Sequence, residues 1–216
     1  MLTTEPSCCK NLYVPDTSAL LFSAQVELKG KNIFEWLLDR HNVYICSEVK
    51  YECFDIIQKD RVDLYNPQKV KRYISKNEMP NRDYSDCLGY LKKYCVENEL
   101  RKFLKLGSGE KNSVALSLYL SIKYDKPIIL LIDDYGAEKT IASLLEERKF
   151  AIVKAVPDLI INLFQTNYDL NENQVRGALQ SYYNIRRYAV VNDVFKKRMK
   201  FNCRSFWFEE CGLKCC

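Results

Sequence analysis

The chain of 216 residues contains only one histidine, His41. A metal site of the HExxH type needs two imidazoles and therefore cannot be built within one chain. A Ser-His-Asp or Cys-His arrangement would have to use His41. This residue follows a helix expected to end at Arg40, where a favourable charge or a surface position is its expected role. If the chain is an enzyme, carboxylates are therefore the expected reagents.

Glycine and proline are scarce, at seven and six residues, which excludes collagen-like and low-complexity chains. Long apolar runs are absent as well, because the longest clean one covers only 127–132. A membrane-spanning helix needs roughly 20 apolar residues. No basic residue precedes Lys10, and Asp16 interrupts the first apolar run, so we expect no signal peptide and no membrane partner.

Cysteine, in contrast, is abundant, with ten residues. Disulfide-dense scaffolds are usually short, loop-rich and secreted, whereas this chain is long, helix-rich and without a signal, which favours a reducing cytoplasm. Four cysteines lie at the C-terminus: Cys203, Cys211, Cys215 and Cys216. They have the number but not the paired spacing of a structural Zn²⁺ site. Plain thiols in an irregular tail are the favoured interpretation, and Zn²⁺ is the alternative.

The net charge of +5 hints at a polyanionic partner, and its distribution says more. The segment 186–204 contains seven basic residues and only one acidic residue, and aromatic residues lie among the basic ones. Basic side chains neutralise phosphates, and aromatic rings stack on unpaired bases. A solvated helix face is the equally weighted alternative. The candidate RNA-binding residues are Arg186, Arg187, Lys196, Lys197, Arg198 and Lys200.

Short apolar strands alternate with helices along the chain, which predicts an α/β fold with a central parallel sheet and helices on both faces. We expect strands at 11–15, 43–46, 128–132 and 150–156. One predicted helix covers 17–28, a longer one covers 84–106, and Ser47 is expected to cap the helix that runs to about Gln58. Asn171 and Gln174 are placed for a capping box at the start of a late helix.

Acidic residues follow the predicted strands, where a parallel sheet has its ligand crevice. Asp16 follows the first strand, Glu48 and Glu52 follow the second, and Asp133 and Asp134 follow the third. Glu110 begins a helix after the turn Gly107-Ser-Gly. Clustered carboxylates repel unless a cation neutralises them, and hard divalent cations prefer oxygen ligands. Each acid could also merely favour a helix N-terminus.

Four stretches resemble, in order, the motifs of PIN-domain nucleases. They are a strand ending in Asp before Thr-Ser (13–21), a strand before Ser-Glu and Val-x-x-Glu (43–53), Gly-x-Gly-Glu before a small-residue helix (107–116), and an apolar strand before Asp-Asp (129–142). The segment from residue 153 onward resembles the end of a toxin-like PIN subfamily. The resemblance covers about 11–182. The segment 59–106 has no recognisable motif, and 183–216 lies outside the match.

The resemblance implies a PIN-like three-layer α/β/α domain over 11–182, followed by a basic helical extension and cysteine-rich tail over 183–216. It implies a Mg²⁺- or Mn²⁺-dependent endoribonuclease in which Asp16, Glu52, Glu110 and Asp133 are the catalytic and metal-binding acids. Glu48 and Asp134 are the fallbacks for Glu52 and Asp133. Thr17 and Ser18 match the hydroxyl positions beside the first Asp, where they orient it or a metal-bound water, or simply cap the helix.

The toxin-like resemblance further implies a toxin–antitoxin pair, with a small antitoxin protein and a second copy of the chain as partners besides RNA. Two alternatives stay open. One is a non-catalytic PIN scaffold that binds RNA or protein, against which a full set of four acids argues. The other is a DNA-directed PIN nuclease. The sequence names neither the RNA target nor the oligomeric state.

Overall fold

A four-stranded parallel sheet forms the centre of the computed structural model, which describes residues 10–166 and 170–189. The strands in these residues are β1 (Leu12–Pro15), β2 (Glu27–Leu28), β3 (Lys31–Asn32), β4 (Asn42–Val43), β5 (Ile45–Cys46), β6 (Glu78–Met79), β7 (Ile128–Leu131) and β8 (Ala151–Lys154). The central sheet has the order β4-β1-β7-β8, and every pair in it is parallel. Strands β2 and β3 form an antiparallel pair, and β5 and β6 form a parallel one.

Ten α-helices surround the strands in the part of the chain that the structure describes. They are α1 (Thr17–Gln25), α2 (Ile33–Arg40), α3 (Ser47–Gln58), α4 (Pro67–Lys76), α5 (Ser85–Glu97), α6 (Arg101–Leu104), α7 (Ser108–Tyr124), α8 (Tyr135–Arg148), α9 (Val156–Thr166) and α10 (Glu172–Ala189). The predicted α/β class with a central parallel sheet is confirmed, and the arrangement is compatible with a three-layer α/β/α fold.

The two central strands are buried nearly completely, as their continuous apolar sequences predict. All four residues of β1 are buried, as are three of the four in β7. A strand without polar alternation has to be covered on both faces, and helices provide that cover. Tyr13 pairs in register with Ile129, and Pro15 with Leu131. Strands β1 and β7 therefore end side by side, which places the residues that follow them at one edge.

The helix predicted over 17–28 is shorter than expected, because it ends at Gln25. Residues 27–28 instead pair with 31–32 in a tight hairpin. Its two turn residues, Lys29 and Gly30, have φ values of 53° and 75°. A two-residue hairpin turn with positive φ at both positions matches the twist of its strands, and Gly30 adopts that conformation without steric cost.

The strand predicted over 43–46 consists of two short strands that belong to different sheets. β4 pairs with β1, whereas β5 pairs with β6, which the sequence did not predict. The predicted cap at Ser47 is wrong. Cys46 occupies the N-cap position of α3 without a side-chain bond, and the Ser47 hydroxyl donates to Glu78 Oε1 at 3.0 Å. A tertiary partner has therefore replaced the local hydrogen bond.

The long helix predicted over 84–106 is divided into α5 and α6. Glu99 adopts φ 57°, in the left-handed region. The amide of Leu100 donates to the carbonyl of Cys95 at 2.8 Å, and that of Glu99 donates to Val96 at 3.4 Å. These are the two bonds of a Schellman helix end, which usually has glycine at the left-handed position. Because Glu99 occupies this position instead, the helix break could not be predicted from the residue types.

The capping box at the start of α10 is confirmed. The amide of Asn171 donates to Gln174 Oε1, and the amide of Gln174 donates to Asn171 Oδ1, both at 3.0 Å. Helix α10 continues to Ala189, so the boundary predicted at 182 falls inside it. None of the helices that the structure describes has the length and apolarity needed to cross a membrane.

We expect Asn171→Ala to lower the free energy of unfolding by about 1 kcal/mol, because it removes the cap acceptor of α10. In a chain of this size that loss lowers the thermal midpoint by about 2–4 °C. Asn173→Ala is the matched control, since Asn173 is an exposed residue within the same first turn. Equal midpoints for the two variants in differential scanning calorimetry would contradict a stabilising role of the cap.

Candidate active site

Asp16 and Asp133 meet at the carboxyl edge of the central sheet. The amide of Asp16 donates to the carbonyl of Leu131 at 2.8 Å, which extends the β1–β7 ladder by one residue. The amide of Asp133 in turn faces Asp16 Oδ2 at 3.4 Å. Asp16 is 2% exposed and Asp133 is 0% exposed. Two adjacent parallel strands thus place two carboxylates side by side in the interior.

Asp16 is the N-cap of α1, and its Oδ1 accepts from the amide of Ala19 at 2.6 Å. The carboxylate forms no ion pair with any residue that the structure describes. Burial raises the pKa of Asp16 to about 8, although the Ala19 bond opposes the shift, and the negative charges of Asp133 and Glu110 raise it further. The carboxylate is therefore held in a position where a cation would stabilise its charged form.

Glu52, on α3, reaches the same region from the second predicted motif. Thr17 donates its hydroxyl to Glu52 Oε2, and the amide of Gly109 donates to Glu52 Oε1 at 3.2 Å. Thr17 therefore orients a neighbouring carboxylate, while the capping of α1 falls to Asp16 itself. The side chain of Glu52, in the middle of α3, consequently links this helix to the first residues of α1 and α7.

Glu48, the fallback for Glu52, has different partners although only one helical turn separates the two residues. Its Oε2 accepts from the hydroxyl of Tyr84 at 3.0 Å, and its Oε1 accepts from the side-chain amide (Nδ2) of Asn81 at 3.3 Å. Tyr84 is fully buried and lies just before α5. Of the two glutamates, Glu52 is thus the one whose bonds lead to the residues around Asp16.

Glu110 lies in the first turn of α7, and the glycines before it explain the Gly-x-Gly-Glu pattern. A Cβ at Gly107 would collide with Glu110 Oε2. A Cβ at Gly109 would lie 2.7 Å from Glu52 Oε2, closer than real Cβ atoms approach. Helix α7 begins at Ser108, so Gly109 is helical and not part of the predicted break. A carboxylate packs directly against each glycine, so a Cβ at either position would require that carboxylate to move.

Asp133 is held by α10. Tyr182 donates its hydroxyl between the two carboxylate oxygens, at 2.8 and 2.9 Å. Arg186 donates to the carbonyl oxygen of Asp133, and its Nε lies 3.7 Å from Oδ2. The guanidinium packs over the ring of Phe22 at 5.2 Å. The carboxylate of Asp133 is thus already paired with a cation of the same chain.

This contact corrects the prediction that Arg186 belongs to an exposed RNA-binding strip. Arg186 is only 8% exposed, and its guanidinium pairs with the buried carboxylate of Asp133. Tyr182 was not among the site residues predicted from the sequence. The buried residues Val175, Leu179 and Tyr182 recur at helical spacing on α10 and would have placed it on the inner face.

The other predicted residues of the C-terminal segment are not tested. Arg187 is part of α10, but its side chain lies outside the described structure, as do residues 190–216. The remaining candidate RNA-binding residues (Lys196, Lys197, Arg198 and Lys200) and the four C-terminal cysteines fall in that range.

Asp134, the fallback for Asp133, is exposed and caps α8, where its Oδ1 accepts from the amide of Ala137 at 2.8 Å. It also borders an open cleft of ≈ 420 Å³ together with Glu110. One wall of this cleft consists of residues 102–107, and the other is the first turn of α8 up to Thr140. Glu110 therefore faces solvent through this opening, whereas Asp16 and Asp133 are buried behind the sheet edge.

His41 takes no part in the site. It caps the C-terminal end of α2 and packs against the ring of Tyr13, with ring centroids 4.8 Å apart. Burial, together with the charges of Arg40 and Lys10, lowers its pKa to about 4. The expected favourable charge at the helix end is therefore wrong, since this imidazole is neutral at pH 7.

The residues fit a hard divalent cation in charge and donor type. Asp16, Glu52 and Glu110 supply carboxylate oxygens, and burial of Asp16 creates a deficit of positive charge. The arrangement is not yet that of a ligand shell. Within residues 10–166 and 170–189, no three His, Cys, Asp or Glu side chains lie close enough together to hold one ion. Binding would require Glu52 or Glu110 to leave the glycine backbone on which it rests.

We expect Asp16→Asn to stabilise the metal-free protein at pH 8 more than at pH 5. The pKa of Asp16 rises from 3.8 to about 8 on folding, so the stability of the wild type falls as the pH increases through that window. In EDTA at pH 8 we expect the thermal midpoint of Asp16→Asn to exceed that of the wild type by about 2–4 °C or more. Exposed Asp63→Asn is the control. A difference independent of pH would contradict the burial of a poorly compensated carboxylate.

Comparisons with protein-family models, with curated proteins and with solved structures find nothing that matches this chain.

Proposed function

We propose that the chain is a metal-dependent endoribonuclease of the PIN type. One observation carries the proposal: four separate segments, each in the order of the PIN motifs, deliver Asp16, Glu52, Glu110 and Asp133 to one edge of the sheet. Hydrogen bonds connect Asp16 with Asp133, and Glu52 with the residues beside Asp16 and Glu110. Neighbouring carboxylates repel one another, and a bound cation would compensate for that repulsion.

In this proposal Asp16, Glu52 and Glu110 would hold a Mg²⁺ or Mn²⁺ ion, which would supply an activated water and stabilise the charge that develops on the phosphate. Asp16 is fixed by the Ala19 amide and offers its second oxygen. Thr17 orients Glu52. Tyr182 and Arg186 fix the position of Asp133 beside Asp16. Because water attacks instead of the 2′-hydroxyl, the products carry a 5′-phosphate.

Asp16→Asn tests the assignment. We expect cleavage of single-stranded RNA in Mn²⁺ to fall by more than about 100-fold, because even outer-shell partners of metal ligands contribute 10–100-fold. The variant should also lose the rise in thermal midpoint that Mn²⁺ gives the wild type. Wild-type-like cleavage by purified Asp16→Asn protein would overturn the metal-site assignment. Glu48→Gln should cleave normally, because Glu48 binds Tyr84 and Asn81.

Gly109→Ala provides a second test that substitutes none of the acidic residues. The added Cβ would lie 2.7 Å from Glu52 Oε2 and must displace that carboxylate. We expect a loss of about 10–100-fold in cleavage and a weaker Mn²⁺ shift of the thermal midpoint. Gly89→Ala, within α5, is the control, because its Cβ would meet nothing within 4 Å. Equal activity of the two variants would show that the position of Glu52 does not matter.

A second candidate function, a non-catalytic scaffold that binds RNA or protein, is favoured by the state of Asp133. Arg186 already neutralises this carboxylate, and no trio of acids in the residues that the structure covers is arranged for one ion. RNA binding without cleavage in any divalent metal, and without effect of EDTA, would support the scaffold. Preferential cleavage of single-stranded DNA in the same assay would support the DNA-directed nuclease.

The toxin–antitoxin setting and the homodimer are proposals that rest on the resemblance. A short neighbouring gene for a protein with a DNA-binding fold would support an antitoxin. Size-exclusion chromatography with light scattering on the full chain would measure the oligomeric state.

A further inference from the structure

The segment 100–109 carries an unneutralised positive charge beside the acidic site. Its sequence contains three basic residues and no acid between Glu99 and Glu110. Arg101, Lys102 and Lys105 are all exposed. None of the three forms an ion pair with any residue in the described part of the chain.

Two of these cations line the cleft that leads to the acids. Lys102 and Lys105 belong to one wall of the ≈ 420 Å³ opening, while Glu110 and Asp134 lie on the same cleft. The break in the predicted long helix creates this wall, because the Schellman turn at Glu99 redirects the chain into α6. Because neither lysine forms an ion pair within the described residues, both are available to contact an external anion.

The opposite wall begins at the first turn of α8, next to an exposed aromatic ring. Tyr135 lies between the cleft residues Asp134 and Gly136 and is 47% exposed. Single-stranded nucleic acids bind where basic side chains contact the phosphates and aromatic rings stack on unpaired bases. A base-paired strand offers no free base face to such a ring.

We propose that this cleft is the binding site for single-stranded RNA, in which Lys102 and Lys105 contact phosphates next to the scissile one and Tyr135 stacks on a base. The proposal rests on the proposed nuclease function for its substrate, and it moves the primary RNA contact from the basic segment at 186–200 to the cleft. Acids hold the metal at one side, and lysines hold the flanking backbone at the other.

Binding is measured by fluorescence anisotropy with the full chain in EDTA, using a labelled 12-nucleotide single-stranded RNA over a range of salt concentrations. Lys102→Gln combined with Lys105→Gln should weaken binding and reduce the slope of log K against log salt by about 1.4, because each phosphate contact on a single strand contributes about 0.7. Lys123→Gln with Lys126→Gln is the control.

The control pair is well placed because Lys123 lies in the last turn of α7, whereas Glu110 lies in the first. Thirteen residues of helix separate them by about 20 Å. The control should keep the wild-type slope. An unchanged slope in the Lys102/Lys105 variant, or the same loss in both double variants, would overturn the proposal. So would Lys196→Gln with Lys197→Gln if that variant alone reduced the slope.

Tyr135→Ala tests the stacking part. We expect at least about a fivefold loss of affinity for the single strand and little change for an RNA duplex of the same sequence. Tyr135 is adjacent in sequence to the cleft residues Asp134 and Gly136, whereas the control residue of Tyr65→Ala is 95% exposed and lies at a different opening. Equal losses for single strand and duplex would contradict stacking on a free base. Because EDTA prevents metal-dependent chemistry, binding can fail while cleavage persists, or the reverse, so the two proposals are tested separately.

Discussion

The pairing of β1 with β7 is the constraint on which the rest of the site depends. Because the two strands are parallel, adjacent and in register, they end together and bring Asp16 and Asp133 into one buried space. Two carboxylates in such a place repel each other and have lost their hydration. The neighbouring elements therefore have to compensate for this cost, and they do so differently for each acid.

Side chains of the same chain stabilise the buried carboxylate of Asp133, whereas the carboxylate of Asp16 has fewer such contacts. The Tyr182 hydroxyl and the Arg186 guanidinium, both from α10, satisfy Asp133. Among the described residues, Asp16 has only the amides of Ala19 and Asp133, and burial raises its pKa to about 8. A buried charge that lacks its partner destabilises a fold, while a paired one is tolerated. For the cation that we propose, this asymmetry favours the Asp16 side, where Glu52 and Glu110 also lie.

The sequence predicted the residues that local or strand-end chemistry determines. Apolar runs located β1 and β7, and the acids after them followed from the geometry of a parallel sheet. It failed where tertiary contacts decided the outcome. The helix break at Glu99 uses a left-handed residue that is not glycine, Ser47 bonds to Glu78, and Arg186 turns inward to Asp133. Charge patterns alone cannot distinguish a basic residue on a surface from one that pairs with a buried acid.

Two predictions were wrong, the exposure of Arg186 and the unbroken helix over 84–106, and both corrections change where positive charge is available to bind an anion. Arg186 is withdrawn from the surface by Asp133, while the break after α5 exposes Lys102 and Lys105 on the cleft. Positive charge is thus removed from one side of the acids and supplied on another. Lys102 and Lys105 are exposed and form no ion pair in the described chain, whereas Arg186 is buried against Asp133. The cleft at 102–107 is therefore better suited than the inner end of α10 to guide a phosphate backbone toward Asp16.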